Sequence, residues 1–205
     1  MTAPTTARRA ATRERLVHAA TGVIARKGVL GASVEEICEA AGFTRGAFYS
    51  NFDSKDALCR AILESHGEVY LAAARGAIEG IDTEEPDVRA MLSRATREFI
   101  GATGSDPDAI LVMSELRLYA AREPALREAF REFDEAATPV FGGMVEQGLA
   151  ANGLRLTIPI VDALSLLHAV YDQTALDQLI CGGAPDSPEA AERLTLVLQA
   201  MIAPA

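Results

Sequence analysis

The sequence predicts an all-α protein of about nine helices, and three observations carry that expectation. Apolar residues recur at spacings of three and four through nearly every segment, the repeat of one helix face. No stretch alternates in the two-residue period of a half-buried strand. Helix-start signals punctuate the chain at Asp106-Pro107, Glu123-Pro124 and Ser187-Pro188, because proline in the first helical turn forfeits no needed hydrogen bond. With 205 residues, 49% of them apolar, the chain can bury a core as one compact unit or two small ones.

Residues 1–11 are rich in Thr and Ala, lack the apolar stretch of a secretory signal, and read as a loose tail through residue 10. The first helix places Leu16, Val17, Ala20, Val23 and Ile24 on one face and stops at Lys27. Gly28 supplies the left-handed conformation that closes a helix. Ser33 and Glu36 form an S-x-x-E capping box at the start of a short helix from Val34 to Ala41, which Gly42 breaks. Thr44 caps a third helix of about two turns, and Phe43 is placed to staple onto Phe48. Asp53 or Ser54 then caps a long helix over residues 54–78, which reads as a connecting element.

The acidic, proline-containing stretch 80–87 marks the change of domain character. Pro139, followed by Gly142 and Gly143, is expected to kink or split the helix that opens at Pro124. Asn152-Gly153 ends that region, Pro159 opens a strongly apolar helix reaching Ile180, and residues 181–185 form a turn before the last helix. The reading divides the chain into a helix-turn-helix segment, 1–60, and a helical remainder, 61–205.

Charge is distributed unevenly. The formal net charge is −10, yet residues 1–60 hold nine Lys/Arg against six Asp/Glu, a net +3, and residues 61–205 hold ten against twenty-three, a net −13. Phosphate contacts need Lys or Arg, so the basic end suits nucleic acid while the acidic body stays away from it. No apolar run is long enough to span a bilayer, and the expectation is a cytoplasmic protein without a membrane partner. Cys38, Cys59 and Cys181 show no CxxC spacing and read as small buried hydrophobes. His18, His66 and His168 have no metal-ligand spacing. No G-x-S-x-G elbow, P-loop, H-E-x-x-H or dinucleotide fingerprint is present, so neither catalytic residues, a metal nor a cofactor are expected.

Two helices joined by a short turn at Gly42, the second capped and very short, match a motif that sets a reading helix in the major groove. Residues 44–50 are then the reader. Thr44, Arg45, Gly46, Ala47, Tyr49 and Ser50 combine small residues with hydrogen-bond donors, while Phe48 and Phe52 face the core. Gly46 inside a helix costs about 1 kcal/mol relative to alanine, which points to a close approach of the backbone to something outside it.

Residues 12–64, and above all GFTRGAFYSNFDSKDAL over 42–58, resemble the N-terminal DNA-binding domain of TetR/AcrR-family transcriptional regulators. The resemblance covers about a quarter of the chain. It implies a DNA-binding domain followed by a helical ligand-binding and dimerisation domain, acting as a repressor on double-stranded operator DNA. The alternatives it leaves are an activator of the same fold and, from another class, an enzyme. By resemblance, Tyr49 and Lys55 hold phosphates, Thr44 contacts backbone or a base edge, Arg45 reads or clamps the operator, and Ser33 anchors a phosphate. Ser50 and Asn51 stand where the family often carries longer basic or imidazole side chains, which shifts the reading role toward Arg45.

Operator affinity calls for a two-fold dimer. Stripes of Ile160, Leu164, Leu167 and Tyr171 on one helix and Leu194, Val197, Leu198 and Met201 on the last are the expected homodimer interface, a four-helix bundle. Between 88 and 151, Phe99, Met113, Leu116, Tyr119, Phe130, Phe133 and Phe141 can line an apolar cavity for an unidentified small-molecule effector. Tyr171 and the possible polar anchors Arg117, Asp134, His168 and Gln173 complete that set.

Overall fold

The computed structural model describes residues 4–81, 87–103 and 106–205. Among these, nine helices and one short two-stranded ribbon follow in the order α1 (Pro4–Gly31), α2 (Val34–Ala41), α3 (Arg45–Tyr49), α4 (Lys55–Glu79), α5 (Val88–Thr103), α6 (Pro107–Arg122), α7 (Pro124–Ala151), β1 (Leu154–Leu156), α8 (Ile160–Ile180), α9 (Pro188–Ala200) and β2 (Ile202–Pro204). The helix-start prolines at 107, 124 and 188 each open a helix as expected. Part of the expected domain change at 80–87 lies outside the described residues, between the end of α4 and the start of α5.

The chain divides into two units, Met1–His66 with Leu111–Phe133, and Gly67–Ile110 with Asp134–Ala205. The first unit is therefore discontinuous in sequence. Its core joins Leu16, Ile24, Ile37, Phe48, Phe52, Leu58 and Ile62 of the N-terminal segment to Val112, Leu116 and Leu126. Removing this much apolar surface from water holds α1 to α3 in one frame, because none of the short helices is stable alone.

Two departures from expectation concern α1. The segment 1–10 is not loose where it is described: the helix begins at Pro4. Alanine and arginine favour helix, and proline suits its first turn. Tertiary anchoring adds to this, since Arg9 Nη2 donates to the Ser50 carbonyl at 3.1 Å and Arg13 Nη1 to the Asn51 carbonyl at 3.4 Å. At the other end, Gly28 has the expected positive φ of 71°, but its ψ of 164° kinks the chain instead of closing it, and helix resumes to Gly31. That backbone region is essentially reserved for glycine. Gly28→Ala is expected to destabilise the first unit by about 1–3 kcal/mol. The new Cβ would also meet the Glu115 carboxylate at 2.8 Å, a flexible group able to swing aside. An unchanged urea midpoint would contradict the strain.

In the second unit, α9 packs against α5 and α8. Ile100, Ile110, Tyr171, Ala175, Ala190, Ala191 and Leu194 form one cluster, and Met91, Leu92, Leu149 and Leu154 another. Thr96 Oγ1 and Thr195 Oγ1 meet at 2.7 Å within buried surroundings, so both hydroxyls are satisfied where water is excluded. The ribbon pairs Leu154 with Pro204 and Leu156 with Ile202, antiparallel. It was not expected: strands of three residues are too short to display a two-residue period. Helix α7 runs through Pro139 without splitting.

The expected dimer stripes are partly consumed within the chain. Tyr171, Leu194 and Met201 are 5%, 4% and 5% exposed, and Ile160, Leu164, Leu167, Val197 and Leu198 are half-buried. The large apolar side chains turned to solvent are instead Val161, Leu166 and Ile180 on α8 and Leu196 on α9. Because α8 is apolar around most of its circumference, periodicity cannot tell which stripe faces inward.

Candidate nucleic-acid interface

The site begins at the α2 N-terminus. Ser33 Oγ accepts from the Glu36 N–H at 3.2 Å, and Glu36 Oε2 accepts from the Ser33 N–H at 3.1 Å, the reciprocal capping box. The Ser33 hydroxyl also donates to Glu36 Oε2 at 3.0 Å, so its single O–H is occupied within the chain. The Lys27 ammonium hydrogen-bonds Glu36 Oε1. This contact and the Ser33 bonds hold the Glu36 carboxyl at about 2, against 4.5 ordinarily. A depressed carboxyl contributes stability that is complete above its unfolded value and is lost as pH falls through its folded one. Between pH 4.5 and about 2, the protein is therefore expected to lose stability faster than Glu36→Gln, which keeps the cap but does not titrate. Parallel urea midpoints across that window would reject the contribution.

Gly42, at φ 70° and ψ 34°, closes α2 and turns the chain, and the Phe43 N–H bonds the Cys38 carbonyl at 2.8 Å. Thr44 Oγ1 then accepts from the Ala47 N–H at 3.2 Å and starts α3. Phe43 packs against the core that contains Phe48. Within α3 the faces separate cleanly. Phe48 is fully buried, 5.7 Å from the Phe52 ring, whereas Thr44, Arg45, Gly46, Tyr49 and Ser50 are exposed and Ala47 is half-buried. The Tyr49 ring stands edge-on to Phe48 at 5.2 Å, braced on that side, while the residue as a whole is 49% exposed.

Arg45 Nη1 lies 2.5 Å from Glu35 Oε1, with both side chains mostly exposed, and its guanidinium lies 5.9 Å from the Tyr49 ring centre. Exposed ion pairs contribute little net free energy, so a phosphate or base edge can replace Glu35 cheaply. A Cβ placed on Gly46 would meet only Thr44 Oγ1, at an ordinary 3.7 Å. No contact inside the protein calls for glycine there.

Three expected contact residues are tied into the fold. The Ser50 hydroxyl donates to the Ala47 carbonyl at 2.8 Å. Asn51 Nδ2 donates to the same carbonyl at 2.8 Å and to Ser50 Oγ at 3.2 Å, so both side chains finish the C-terminus of α3. Lys55 Nζ donates to the carbonyls of Val29 at 2.7 Å and Ala32 at 3.2 Å. It clasps the end of α1, with one of its three N–H groups left over for an anion. Sequence reading missed Arg15, which donates to the Ala41 carbonyl at 2.9 Å and covers the Phe43 ring. Arg9 and Arg13 were missed as well, although their spacing of four places them on one face once the tail is taken as helix.

The expected pocket residues do not share one environment. Met113 and Leu116 are buried in the first unit's core, with Tyr119, Phe130 and Phe133 packed against it. The Tyr119 hydroxyl donates to Asp56 Oδ1 at 3.1 Å. Phe99 and Tyr171 belong to the second unit, joined there by Tyr70 and Phe141 at ring separations of 6.0 to 6.3 Å. His168 is largely exposed, 3.8 Å from Asp172, and Gln173 bonds Asp177 at the surface. Asp134 is exposed and Arg117 half-buried. Cys38 and Cys59 are buried as expected, but Cys181 is exposed.

A capped helix, a left-handed glycine turn and a second helix with one aromatic buried and a polar face outward define a helix-turn-helix protein. Residues 16–62 match the family model described as bacterial regulatory proteins, tetR family. The chain is 30% identical over 143 residues to the HTH-type transcriptional regulator CymR of Pseudomonas putida, covering 70% of this chain and 68% of that one. It therefore belongs to the tetR family. It is also 34% identical over 88 residues to the HTH-type transcriptional regulator UidR of Escherichia coli, spanning 45% of that relative's length. Among solved structures, a TetR transcription regulator from Haloarcula marismortui shares the fold at TM-score 0.71 with 18% identity, covering 95% of this chain and 100% of that one. Bacillus subtilis FadR, solved with stearoyl-CoA, does so at TM-score 0.71 and 17% identity, covering 92% and 98%.

Proposed function

We propose that the protein is a sequence-specific, operator-binding transcriptional regulator that works as a homodimer, a repressor released by a small, largely apolar ligand. The observation that carries the DNA-reading role is Gly46. It sits exposed between Arg45 and Tyr49 on a helix whose packing gives no reason for a glycine, and a glycine edge lets backbone approach another surface closely. Arg45 supplies a planar fork suited to a guanine edge or a phosphate, and Tyr49 a hydroxyl donor for the sugar-phosphate chain. Thr44 and Ser33 orient the backbone N–H groups of α3 and α2 while capping them.

Release follows population shift. A ligand that binds a DNA-incompetent state better moves the equilibrium by its difference in affinity for the two states. The second unit offers the Tyr70, Phe99, Phe141 and Tyr171 rings for an apolar ligand, with the Tyr171 hydroxyl 3.3 Å from Thr103 as a polar handle. Helix α4 contributes residues to both units and is the element whose movement changes the separation of the two reading helices in a dimer. Among the described residues, no helix is long and apolar enough to cross a membrane.

Footprinting on the DNA upstream of the protein's own coding sequence tests the reading. Expected is protection of a two-fold symmetric site with half-sites about one helical turn, or a multiple of it, apart, lost on adding an apolar effector. Binding with no sequence preference would refute it, and protection indifferent to every apolar effector would remove the ligand response.

A further inference from the structure

The first turns of α1 stand apart from the core they lead into. Residues 7–11 are exposed without exception, and the buried face of the helix starts only at Leu16. A helix this exposed gains nothing from apolar burial, and isolated helical turns are marginal in water. What fixes it is Arg9, whose Nη2 donates to the carbonyl of Ser50 at the end of the reading helix. Arg13 repeats the contact one turn later on Asn51 and lies over the Phe52 ring at 4.5 Å. The exposed turns are thereby held beside α3.

Their charge is equally specific. Of the nine Lys/Arg in residues 1–60, Arg8, Arg9 and Arg13 lie in the first 13 positions with no acidic residue among them, and the other six are matched by six Asp/Glu. The whole cationic excess of the N-terminal segment thus sits on this extension, next to the reading helix and not on it. Arg13 is partly answered by Glu64 at 3.9 Å. Arg8 and Arg9 are exposed, and Arg9 spends one N–H on Ser50 while the rest of its fork stays available.

From these observations the geometry points to a second DNA-contacting element: the N-terminal turns of α1, through Arg8 and Arg9, bind backbone phosphates beside the base pairs under α3. This rests on the operator-binding reading above. Two guanidinium groups on consecutive residues can neutralise about two phosphates on each half-site. A phosphate contact adds affinity without sequence information. Arg9, bonded to the end of α3, also fixes the register between that contact and the reader.

The test compares wild-type protein with Arg8→Ala/Arg9→Ala, using its operator and an unrelated duplex of equal length. Expected for the double variant are a rise in Kd of about tenfold or more at 0.1 M salt on both duplexes and a salt slope shallower by about two per half-site. The hydroxyl-radical footprint should lose protection beside each α3 contact, with sequence preference retained. Arg8→Ala alone, which leaves the Ser50 bond in place, should give about half the change in slope. Unchanged slope and footprint in the double variant, with wild type protecting its operator, overturn the proposal and leave the regulator reading standing. Loss of preference without a change of slope also overturns it, since Arg9 would then act only by positioning α3. Absence of DNA binding by wild type overturns both.

Discussion

Phe48→Ala is expected to lower the stability of the first unit by about 3–5 kcal/mol, the usual cost of emptying a buried phenylalanine site, and to abolish operator protection. Phe48 has no solvent exposure and belongs to a cluster with Leu16, Ile37, Phe52 and Leu58. The reading helix spans only Arg45 to Tyr49, far below the length at which a helix holds together in water. That ring is the buried side chain of α3, so the helix's orientation depends strongly on it. Phe48→Leu fills most of the same space, and its cost should stay near 1 kcal/mol with DNA binding largely kept. Urea midpoints for the two variants, beside operator titrations, check both statements. A Phe48→Ala protein with wild-type midpoint and affinity would show that α3 is held by something other than its core residue.

Arg45→Ala carries the second large effect, on recognition and not on folding. A bidentate contact to a guanine edge contributes about 1–3 kcal/mol of discrimination, and in a symmetric dimer it is lost twice, raising Kd on the operator by about 30-fold to 10⁴-fold. The pair with Glu35 is exposed, so the melting temperature should barely move. Tyr49→Phe gives the contrasting signature. It removes a neutral donor while keeping the ring on Phe48, weakening every sequence alike with an unchanged salt slope. Lys55→Ala should flatten the slope by about one unit, but it also strips the Val29 and Ala32 carbonyls of their ammonium and lowers stability. Equal losses for Arg45→Ala on operator and random DNA would assign Arg45 to phosphate instead.

The parts of the site legible without coordinates are those coded locally. Ser33 with Glu36, Gly42, Thr44 and the Ser54 hydroxyl, which accepts from the Ala57 N–H at 3.1 Å, each act on backbone groups within four residues. Side-chain chemistry and spacing therefore specify them directly. The inward turn of Phe48 and Phe52 was legible for the same reason, since four positions along a short helical stretch return to one face.

What sequence could not supply was partnership over distance. Propensity in residues 4–11 did not by itself settle that they are helical, because the bond that steadies them ends on Ser50, about forty positions away. Nor does the run Met113 to Phe133 show that it completes the first unit's core: apolar periodicity marks a face that must be buried but not what covers it. The same holds for α8, whose apolar residues run around most of the helix.

By itself, then, the sequence determined the all-helical class, the caps and turns around α2 and α3, and the family, since each is written in neighbouring residues. Tertiary structure alone decided which apolar face each long helix buries, that residues 111–133 join the N-terminal unit, and that Arg9 and Lys55 bind carbonyls. The physical reason is that hydrophobic burial is non-directional, so its partners are chosen by the packing of the whole fold.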